Sequence, residues 1–369
     1  MKILVACRSF DNMAGGVERM AVALMNEMCR RGHNIVLLTW DGEHAVPFYD
    51  LDSRIEWHRL ALGDPAHKAG WSLRLRRALR VRKFVRMAEP DLMIGFQHGT
   101  WLALRLFTLG LLIPTVAAER NAPHRFDFLE EGKRRGLIYL SFLLADRITI
   151  QCESYRNRYP AFLRPRIVTI PNPVFPAASR ADPAGDAAPQ KTLLCMGRLS
   201  YQKNQAVLIR AFAALAPDFL DWRLILAGEG EDRPALASEI AALGMGNRIS
   251  LPGAISAVGD IYAASHLFCL PSRWEGFPNA LAEAMAHGLP VAGFSECAGV
   301  RDLVQDGGNG LLAPGNGNKS ALAAILRRAM ADSALRQRLG QAAAQTVRAY
   351  APEKIFDAWE TFFTDLAGS

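Results

Sequence analysis

The chain has 369 residues, of which 50% are hydrophobic and 21% charged, and its formal net charge is +7 at pH 7. This composition excludes a disordered protein, because it supplies enough apolar side chains for large cores, and the length favours two domains over one. The most apolar stretch, Trp101–Pro114, is interrupted by Arg105 and is shorter than the roughly 20 residues that span a bilayer, so we predict no transmembrane helix.

The spacing of cysteines and histidines argues against disulfides and metal sites. The six cysteines include no C-x-x-C pair and several lie in strand-like apolar runs, so we expect reduced, buried thiols. The eight histidines show no H-x-x-x-H or H-E-x-x-H spacing, so we expect no protein-bound metal. The start, MKILVAC, does not resemble a secretory signal, and we expect a cytoplasmic protein.

Positive charge is concentrated in the first half of the chain. Residues 1–173 hold 26 Lys and Arg against 17 Asp and Glu. The run Lys68–Arg86 contains no acidic residue, and its apolar members fall near one helical face: Trp71, Leu75, Ala78, Leu79 and Val85. One interpretation is a solvated basic face on a helix that packs its apolar side on the core. The other is contact of the Arg74–Arg86 region with anionic lipid headgroups or a phosphorylated acceptor. Nucleic acid is a weaker alternative, since interleaved aromatic residues are missing.

Apolar runs typical of strands alternate with helical patterns along the whole chain. The first half contains KILVAC, NIVLLTW, DLMIGF, PTVAA, RITIQ and RIVTIP. A linker candidate rich in Pro and Ala follows at residues 174–190, and the second half contains KTLLCMG, WRLILAGEG, RISLPG, HLFCLPS, LPVAGF and GLLAP. We therefore predict an α/β fold of two doubly wound parallel-sheet domains, residues 1–175 and 176–351, with a terminal helix over 352–369 that packs back toward the first domain.

A segment with two glycines and a segment with two basic residues each follow a predicted strand. Doubly wound sheets bind ligands at the carboxyl ends of their strands. In MAGGVERM, Gly15 and Gly16 precede a helix and let backbone N–H groups approach a phosphate, although a plain turn is equally consistent. In GRLSYQKN, Arg198 and Lys203 together suit a diphosphate, with ordinary surface charges as the alternative. These segments are candidate anion sites.

A third segment, SRWEGFPNALAEAMAHG, carries two carboxylates. A helix with Pro278 in its first turn and its end before Gly288 places Glu275 in the preceding loop and Glu283 inside the helix. The helix start attracts an anion, and carboxylates accept hydrogen bonds from hydroxyls, so a ligand with phosphate and hydroxyl groups suits this segment. The nearby GEGED, Gly228–Asp232, lacks the third glycine of a dinucleotide-binding motif, and we interpret it as a turn.

In this order, the segments resemble those of the family 4 retaining glycosyltransferases, whose GT-B fold has two Rossmann-like domains facing across a crevice. The resemblance covers nearly the whole chain, through GGVER, IPNPV, GRLSYQKN, LAGEGED, AASHLFCLPSRWEGFPNALAEAMAHGLPV and GLLAPGN. It implies an N-terminal acceptor domain and a C-terminal domain for a nucleotide-sugar donor. Arg198 and Lys203 would then bind the diphosphate in place of a metal, Glu275 would contact the donor sugar, and Glu283 the ribose.

The resemblance implies further site residues. Backbone amides around Gly276, Phe277, Pro278 and Asn279 would approach the donor. Many members carry a histidine after the strand that corresponds to PTVAA, but this chain reads AERNAPHR, so Arg120 or Asn121 occupies that place and Arg120 is a catalytic candidate. ERN-type versions are similar to bacterial enzymes that extend surface polysaccharides and lipid-linked oligosaccharides, some of which bind the acceptor's lipid pyrophosphate with a basic helix.

The implied function is retaining transfer of a hexose or N-acetylhexosamine from a UDP sugar, with GDP as the alternative nucleotide, to a saccharide acceptor that is lipid-linked. The implied setting is assembly of bacterial surface polysaccharide, lipopolysaccharide or glycoprotein glycans at the inner face of the cytoplasmic membrane. No cofactor is expected beyond the donor, and no metal. Two alternatives stay open: a nucleotide-sugar 2-epimerase on the same fold, and a non-catalytic subunit of a polysaccharide assembly complex.

Overall fold

The computed structural model describes residues 1–65, 67, 69–185 and 189–368, and the chain forms two compact units. Unit 1 comprises Met1–Pro173 and the residues from Glu353 onward, and unit 2 comprises Val174–Pro352. The linker candidate lies in unit 2, where buried Arg336 donates to the carbonyl oxygens of Pro183 and Ala184, each at 2.6 Å. Residues 186–188 of that candidate, and Lys68 of the basic run, lie outside the described residues.

Unit 1 is built on a seven-stranded parallel sheet in the order β3-β2-β1-β4-β5-β6-β7. Its strands are β1 (Lys2–Cys7), β2 (Asn34–Thr39), β3 (Glu56–Arg59), β4 (Leu92–Phe96), β5 (Thr115–Ala118), β6 (Arg147–Ile150) and β7 (Ile167–Thr169). All six runs predicted as strands are confirmed. Strand β3 was not predicted, because EWHR is a short edge strand without a buried apolar run.

The helices of the first 173 residues cover this sheet and include one whose orientation was not expected. They are α1 (Gly16–Arg30), α2 (Trp71–Ala88), α3 (His98–Phe107) and α4 (Arg135–Ser141). The expected core face of α2 is wrong for three of its residues, since Trp71, Leu75 and Leu79 are 83%, 54% and 62% exposed. Val85 is buried as expected, and Arg77 and Val81 are buried with it. Arg77 tolerates burial because its Nε donates to the carbonyl oxygen of Leu62 at 2.9 Å.

Unit 2 repeats the plan with a six-stranded parallel sheet in the order β10-β9-β8-β11-β12-β13. Its strands, all predicted, are β8 (Lys191–Met196), β9 (Trp222–Ala227), β10 (Ile249–Gly253), β11 (Leu267–Leu270), β12 (Val291–Phe294) and β13 (Gly310–Ala313). Its helices are α5 (Gln205–Leu215), α6 (Arg233–Ala242), α7 (Val258–Ala263), α8 (Asn279–Ala286), α9 (Ala298–Leu303), α10 (Lys319–Ala331) and α11 (Ser333–Thr346).

The predicted terminal helix is present as α12 (Pro352–Ala367) and packs in unit 1. Its buried residues Ile355, Phe356, Trp359 and Phe363 join α1 in one core of the first sheet, while α2 and α3 cover the opposite face. Across the described ranges, no helix combines the length and hydropathy needed to cross a bilayer.

Each sheet reverses its strand order at one point, between β1 and β4 in unit 1 and between β8 and β11 in unit 2. The loops that leave neighbouring strands at such a point diverge to opposite sides, and the crevice between them, at the carboxyl ends of the strands, is where doubly wound sheets bind ligands. Both reversal points are therefore candidate sites.

Candidate active site

In unit 2, the loops after β8 and β11 are joined by hydrogen bonds at the reversal point. The Gln202 amide donates to the carbonyl oxygen of Trp274 at 2.8 Å, and the Arg273 N–H donates to the carbonyl oxygen of Gln202 at 2.8 Å. The Arg273 guanidinium also donates to Asn204 Oδ1 at 2.9 Å. GRLSYQKN and the loop that carries Glu275 consequently form one fixed surface.

This surface brings two predicted site residues into direct contact. Lys203 Nζ lies 2.6 Å from Glu275 Oε1, and their side chains are only 18% and 5% exposed. The same oxygen accepts a hydrogen bond from the fully buried Ser272 hydroxyl, also at 2.6 Å. Lys203 has three N–H donors, so the pair presents an ordered cation beside an ordered carboxylate. The sequence predicted both residues but not that they pair.

Two thiols beside this ion pair are kept neutral. Burial, and to a smaller extent the charge of Glu275, raises the pKa of Cys195 and of Cys297 to about 12. A thiol with so high a pKa stays protonated and is a poor nucleophile. All six cysteines are buried and free, as predicted.

The GEGED segment is a turn between β9 and α6, as interpreted, and it packs tightly on the GRLSYQKN loop. A Cβ at Gly228, whose φ is +139°, would overlap the carbonyl oxygen of Gly197. The Leu199 N–H donates to the carbonyl oxygen of Glu229 at 2.9 Å, and the Asp232 N–H donates to that of Leu199 at 3.0 Å. Because only glycine permits this approach, the turn supports the neighbouring loop.

Packing of the GEGED turn on the GRLSYQKN loop places Glu231 against Arg198. This ion pair was not predicted from the sequence. Arg198 Nε and Nη2 each lie 3.0 Å from Glu231 Oε2, and the Arg198 side chain is 71% exposed. The guanidinium has five N–H donors, so this pairing leaves donors for an anion. The available signal was the Gly-x-Gly pattern, which marks close backbone approach.

The third predicted segment has the expected arrangement, with Glu275 in the loop and Glu283 on α8. Pro278 lies directly before the helix rather than in its first turn, because the Asn279 N–H donates to the carbonyl oxygen of Phe277 at 2.9 Å and closes a tight turn. The Phe277 ring packs on Tyr350 with centroids 5.8 Å apart. The backbone from Gly276 to Asn279 is thereby held between the two carboxylates.

A buried tyrosine orients Glu283. The Tyr262 hydroxyl lies 3.2 Å from Glu283 Oε2 and 2.9 Å from the carbonyl oxygen of Ala280. Its ring stacks on His287 with centroids 5.1 Å apart. Tyr262 was absent from the sequence-based site, because nothing in the sequence links it to α8.

In unit 1, the glycine pair begins α1. Gly15 caps the helix and Gly16 is its first residue. A Cβ at Gly15 would overlap the carboxylate of Glu18, so that carboxylate lies over the helix N-terminus. Burial raises the pKa of Glu18. A donor contact at Gly15 and Gly16 remains a prediction.

Arg120 is buried in unit 1, where the residue is only 4% exposed. Its guanidinium donates to Thr149 Oγ1 at 3.0 Å and to Asn172 Oδ1 at 3.4 Å, and it lies 5.2 Å from the ring centroid of Trp359. Burial lowers its pKa to about 10. These contacts tie the end of β5 to β6 and α12; a catalytic role for Arg120 remains a prediction.

A cavity of about 820 Å³ lies at the reversal point of unit 1. Its walls include Arg8, directly after β1, Gln97 and His98, directly after β4, and Asn121, in the loop after β5. The described lining residues include five arginines and one carboxylate, that of Glu131: Arg8, Arg74, Arg77, Arg125 and Arg134. Apolar side chains form another part of the wall: Leu102, Leu106, Phe107, Leu137 and Ile138.

Two of these cavity cations are close enough to repel. Arg77 is only 6% exposed, and burial together with the charge of Arg8 lowers its pKa. Both guanidinium groups donate to backbone carbonyls of the 62–65 turn. The cavity therefore favours an anionic ligand. The sequence did not reveal it, because its residues come from distant segments.

Comparison with known proteins identifies the family. The profile for glycosyl transferases group 1 matches residues 182–346, and that for glycosyltransferase family 4 matches residues 14–177. The chain belongs to the family 4 glycosyltransferases. This confirms the predicted resemblance, and a 2-epimerase is not favoured.

Relatives of this glycosyltransferase match it over nearly its whole length. A Campylobacter jejuni protein named GalNAc-alpha-(1->4)-GalNAc-alpha-(1->3)-diNAcBac-PP-undecaprenol alpha-1,4-N-acetyl-D-galactosaminyltransferase is 24% identical over 94% of each chain. The amylovoran biosynthesis glycosyltransferase AmsD of Erwinia amylovora is 22% identical over 97% of this chain and 98% of its own.

Solved structures confirm the GT-B fold. Sucrose-phosphate synthase from Thermosynechococcus elongatus has a TM-score of 0.84 at 18% identity, over 100% of both chains. Anabaena HepE, in complex with UDP and glucose, has a TM-score of 0.79 at 21% identity, over 99% of this chain and 100% of its own.

Proposed function

We propose that this glycosyltransferase transfers a hexose or N-acetylhexosamine from a UDP sugar to a saccharide acceptor, with retention of configuration and without a metal. The contact between Lys203 and Glu275 at the reversal point of unit 2 carries the proposal. It places a cation suited to a diphosphate beside a carboxylate suited to sugar hydroxyls. Arg198 supplies a second cation on the same loop.

The reaction breaks the bond between the anomeric carbon and the diphosphate oxygen, and the bonding electrons leave with the diphosphate. Lys203 and Arg198 stabilise the negative charge that develops there, while Glu275 orients the sugar. The acceptor oxygen attacks on the face that the diphosphate leaves, and its proton passes to a phosphate oxygen. No carboxylate nucleophile is needed.

The nucleotide assignment has separate support. Glu283, oriented by Tyr262, suits the two ribose hydroxyls. The HepE structure, a neighbour in fold, contains UDP. We therefore assign UDP, and GDP is the alternative that the donor assay must exclude.

We further propose that the acceptor is lipid-linked and belongs to bacterial polysaccharide, lipopolysaccharide or glycoprotein-glycan assembly. The cavity of unit 1 combines the cations Arg8, Arg74 and Arg77 with an apolar wall, as an acceptor with an anionic and an apolar part requires. The name of the Campylobacter jejuni relative describes an undecaprenol diphosphate-linked acceptor, and that of AmsD describes polysaccharide biosynthesis.

Helix α2 supports contact with the inner face of the cytoplasmic membrane. Its exposed surface combines apolar and basic side chains without an acidic one: Trp71, Leu75, Leu79; Arg74, Arg76, Arg80, Lys83, Arg86. Helices of this kind bury their apolar side chains at a lipid interface, and each basic residue near an anionic surface adds about 1 kcal/mol. Arg77 is buried and lines the cavity, whereas the exposed basic side chains of α2 are available to a membrane surface.

A transfer assay tests the proposal. The purified protein is incubated with UDP and GDP sugars, in the presence of EDTA, and with a prenyl-diphosphate saccharide in anionic vesicles. Mass spectrometry detects the extended product, and proton NMR gives the anomeric configuration. We expect a UDP sugar to support EDTA-resistant, retaining transfer. An acceptor-independent change of the UDP sugar, or the absence of turnover with every donor, would contradict the proposal.

A further inference from the structure

A second feature of the unit 1 cavity concerns the backbone after β4. Gln97 adopts φ +67°, which is rare for residues other than glycine. Hydrogen bonds hold it there: its N–H donates to the carbonyl oxygen of Ala118 at 2.9 Å, and its carbonyl accepts from the Trp101 N–H at 3.1 Å. This conformation sets His98, the first residue of α3, in the cavity wall.

The His98 ring has a fixed position and a defined tautomer. Its ring packs edge-on against Phe142, with centroids 5.2 Å apart, and lies near Trp101. Nε2 lies 2.8 Å from Ser141 Oγ, and the Ser141 hydroxyl donates to the carbonyl oxygen of Ile138 at 2.7 Å. Because that hydroxyl proton is already used, Nε2 must be the donor to Ser141, and Nδ1 is the unprotonated, accepting nitrogen.

His98 also remains uncharged at neutral pH. Burial, and to a smaller extent the charge of Arg125, lowers its pKa to about 4. A neutral imidazole accepts a hydrogen bond but attracts no anion. It thus differs chemically from the arginines of the same cavity, which only donate.

We propose that His98 Nδ1 accepts a hydrogen bond from a hydroxyl group of the acceptor saccharide. The inference rests on the proposed function of the cavity as the acceptor site. Cationic donors select the anionic part of the acceptor, whereas recognition of a hydroxyl proton needs a neutral acceptor atom at a fixed place. Sites that bind a hydroxyl in this way discriminate strongly against analogues that lack it, so His98 is a specificity-determining residue.

Two substitutions separate this role from a structural one. In His98→Gln the amide nitrogen replaces Nε2 and keeps the bond to Ser141, but the accepting atom at Nδ1 is lost. In His98→Asn the amide oxygen takes the place of Nδ1, but the bond to Ser141 is lost. We expect His98→Gln to raise the acceptor KM about 10-fold or more, and His98→Asn to raise it less. A purely structural role predicts the reverse order.

The controls distinguish failure of this inference from failure of the proposed function. The donor KM and the stabilisation by UDP should match wild type in both variants, since the side chains proposed to bind the donor, Lys203, Glu275 and Glu283, all lie in unit 2. Against single-deoxy acceptor analogues, wild type should show one strong penalty that His98→Gln abolishes. Equal losses in both variants, or an acceptor KM unchanged by His98→Gln, would overturn the inference. Absence of transfer by the wild-type protein would instead refute the proposed function.

Discussion

The two reversal points differ in how their charges are compensated. In unit 2 each candidate cation faces a carboxylate, Lys203 with Glu275 and Arg198 with Glu231. In unit 1 the buried Arg77 is satisfied by backbone carbonyls, and Arg8 lies close enough to repel it. The site in unit 2 is therefore charge-balanced before a ligand arrives, whereas the cavity in unit 1 retains excess positive charge.

The two units also differ in where their exposed apolar side chains lie. Exposed large hydrophobic side chains in the described part of unit 2 are scattered: Phe175, Tyr201, Leu220 and Leu243. In unit 1 most of them lie on α2, around α3 and near α4: Trp71, Leu75, Leu79, Met87, Leu106, Leu109, Leu112, Leu137, Leu140, Leu143 and Leu144. The others are Met13, Val46, Phe48, Phe128, Leu129 and Phe162. Concentrated apolar surface beside excess positive charge suits an anionic amphiphile, which supports the proposal that unit 1 binds a membrane-bound acceptor and unit 2 a soluble donor.

Substituting Glu275 should produce the largest effect. We expect Glu275→Ala and Glu275→Gln to lower kcat about 100- to 1,000-fold, because an oriented charge at the reacting sugar is lost. Steady-state kinetics with the UDP sugar gives kcat, and circular dichroism verifies the fold. The glutamine variant keeps the volume and an acceptor for Ser272. Near-normal turnover in a folded variant would remove Glu275 from the mechanism.

The apolar face of α2 provides the next test. Replacing Trp71, Leu75 and Leu79 with serine should lower partitioning onto anionic vesicles about 10- to 100-fold, because these exposed side chains contribute to interfacial burial. Sedimentation with vesicles measures it, and transfer to a water-soluble acceptor should persist. A matched variant with Arg76, Arg80 and Lys83 changed to glutamate should weaken binding mainly at low salt. Unchanged sedimentation of both variants would favour the solvated-face interpretation.

Removing one hydroxyl in unit 2 should have a smaller effect. Tyr262→Phe leaves the ring on His287 but loses the hydrogen bond near Glu283. We expect the KM for the UDP sugar to rise about 3- to 10-fold with little change in the acceptor KM. Kinetics with each substrate varied in turn checks this. A rise confined to the acceptor KM would place Glu283 outside the donor site.

The exposed pair of Arg198 and Glu231 should matter least. Glu231→Gln should raise the donor KM about 2-fold, because exposed ion pairs contribute little energy. In an Arg198→Ala background the same change should have no effect, which shows that Glu231 acts through Arg198. Glu229→Gln, which breaks the neighbouring pair with Arg233, is the matched control. An equal effect of Glu231→Gln in both backgrounds would contradict the coupling.

The sequence revealed most of the fold, because strands buried in parallel sheets appear as continuous apolar runs. It also indicated Lys203, Glu275 and Glu283 through local motifs. It did not reveal that Lys203 contacts Glu275, 72 positions away, since that contact depends on β8 lying beside β11. Trp71, Leu75 and Leu79 of α2 were assigned to the core side wrongly for a physical reason: backbone carbonyls can satisfy a buried arginine, so Arg77 replaces them on the buried side.

A thermal-shift measurement with UDP, without added metal, on wild type and on Lys203→Ala tests directly whether unit 2 binds a nucleoside diphosphate. A ligand that binds the native state raises Tm according to its concentration relative to Kd. We expect a UDP-dependent rise in Tm for wild type that is greatly reduced in Lys203→Ala, while Glu229→Gln behaves as wild type. An equal rise in Lys203→Ala, or no rise in any of the three proteins, would contradict a nucleotide-diphosphate site at the reversal point of unit 2.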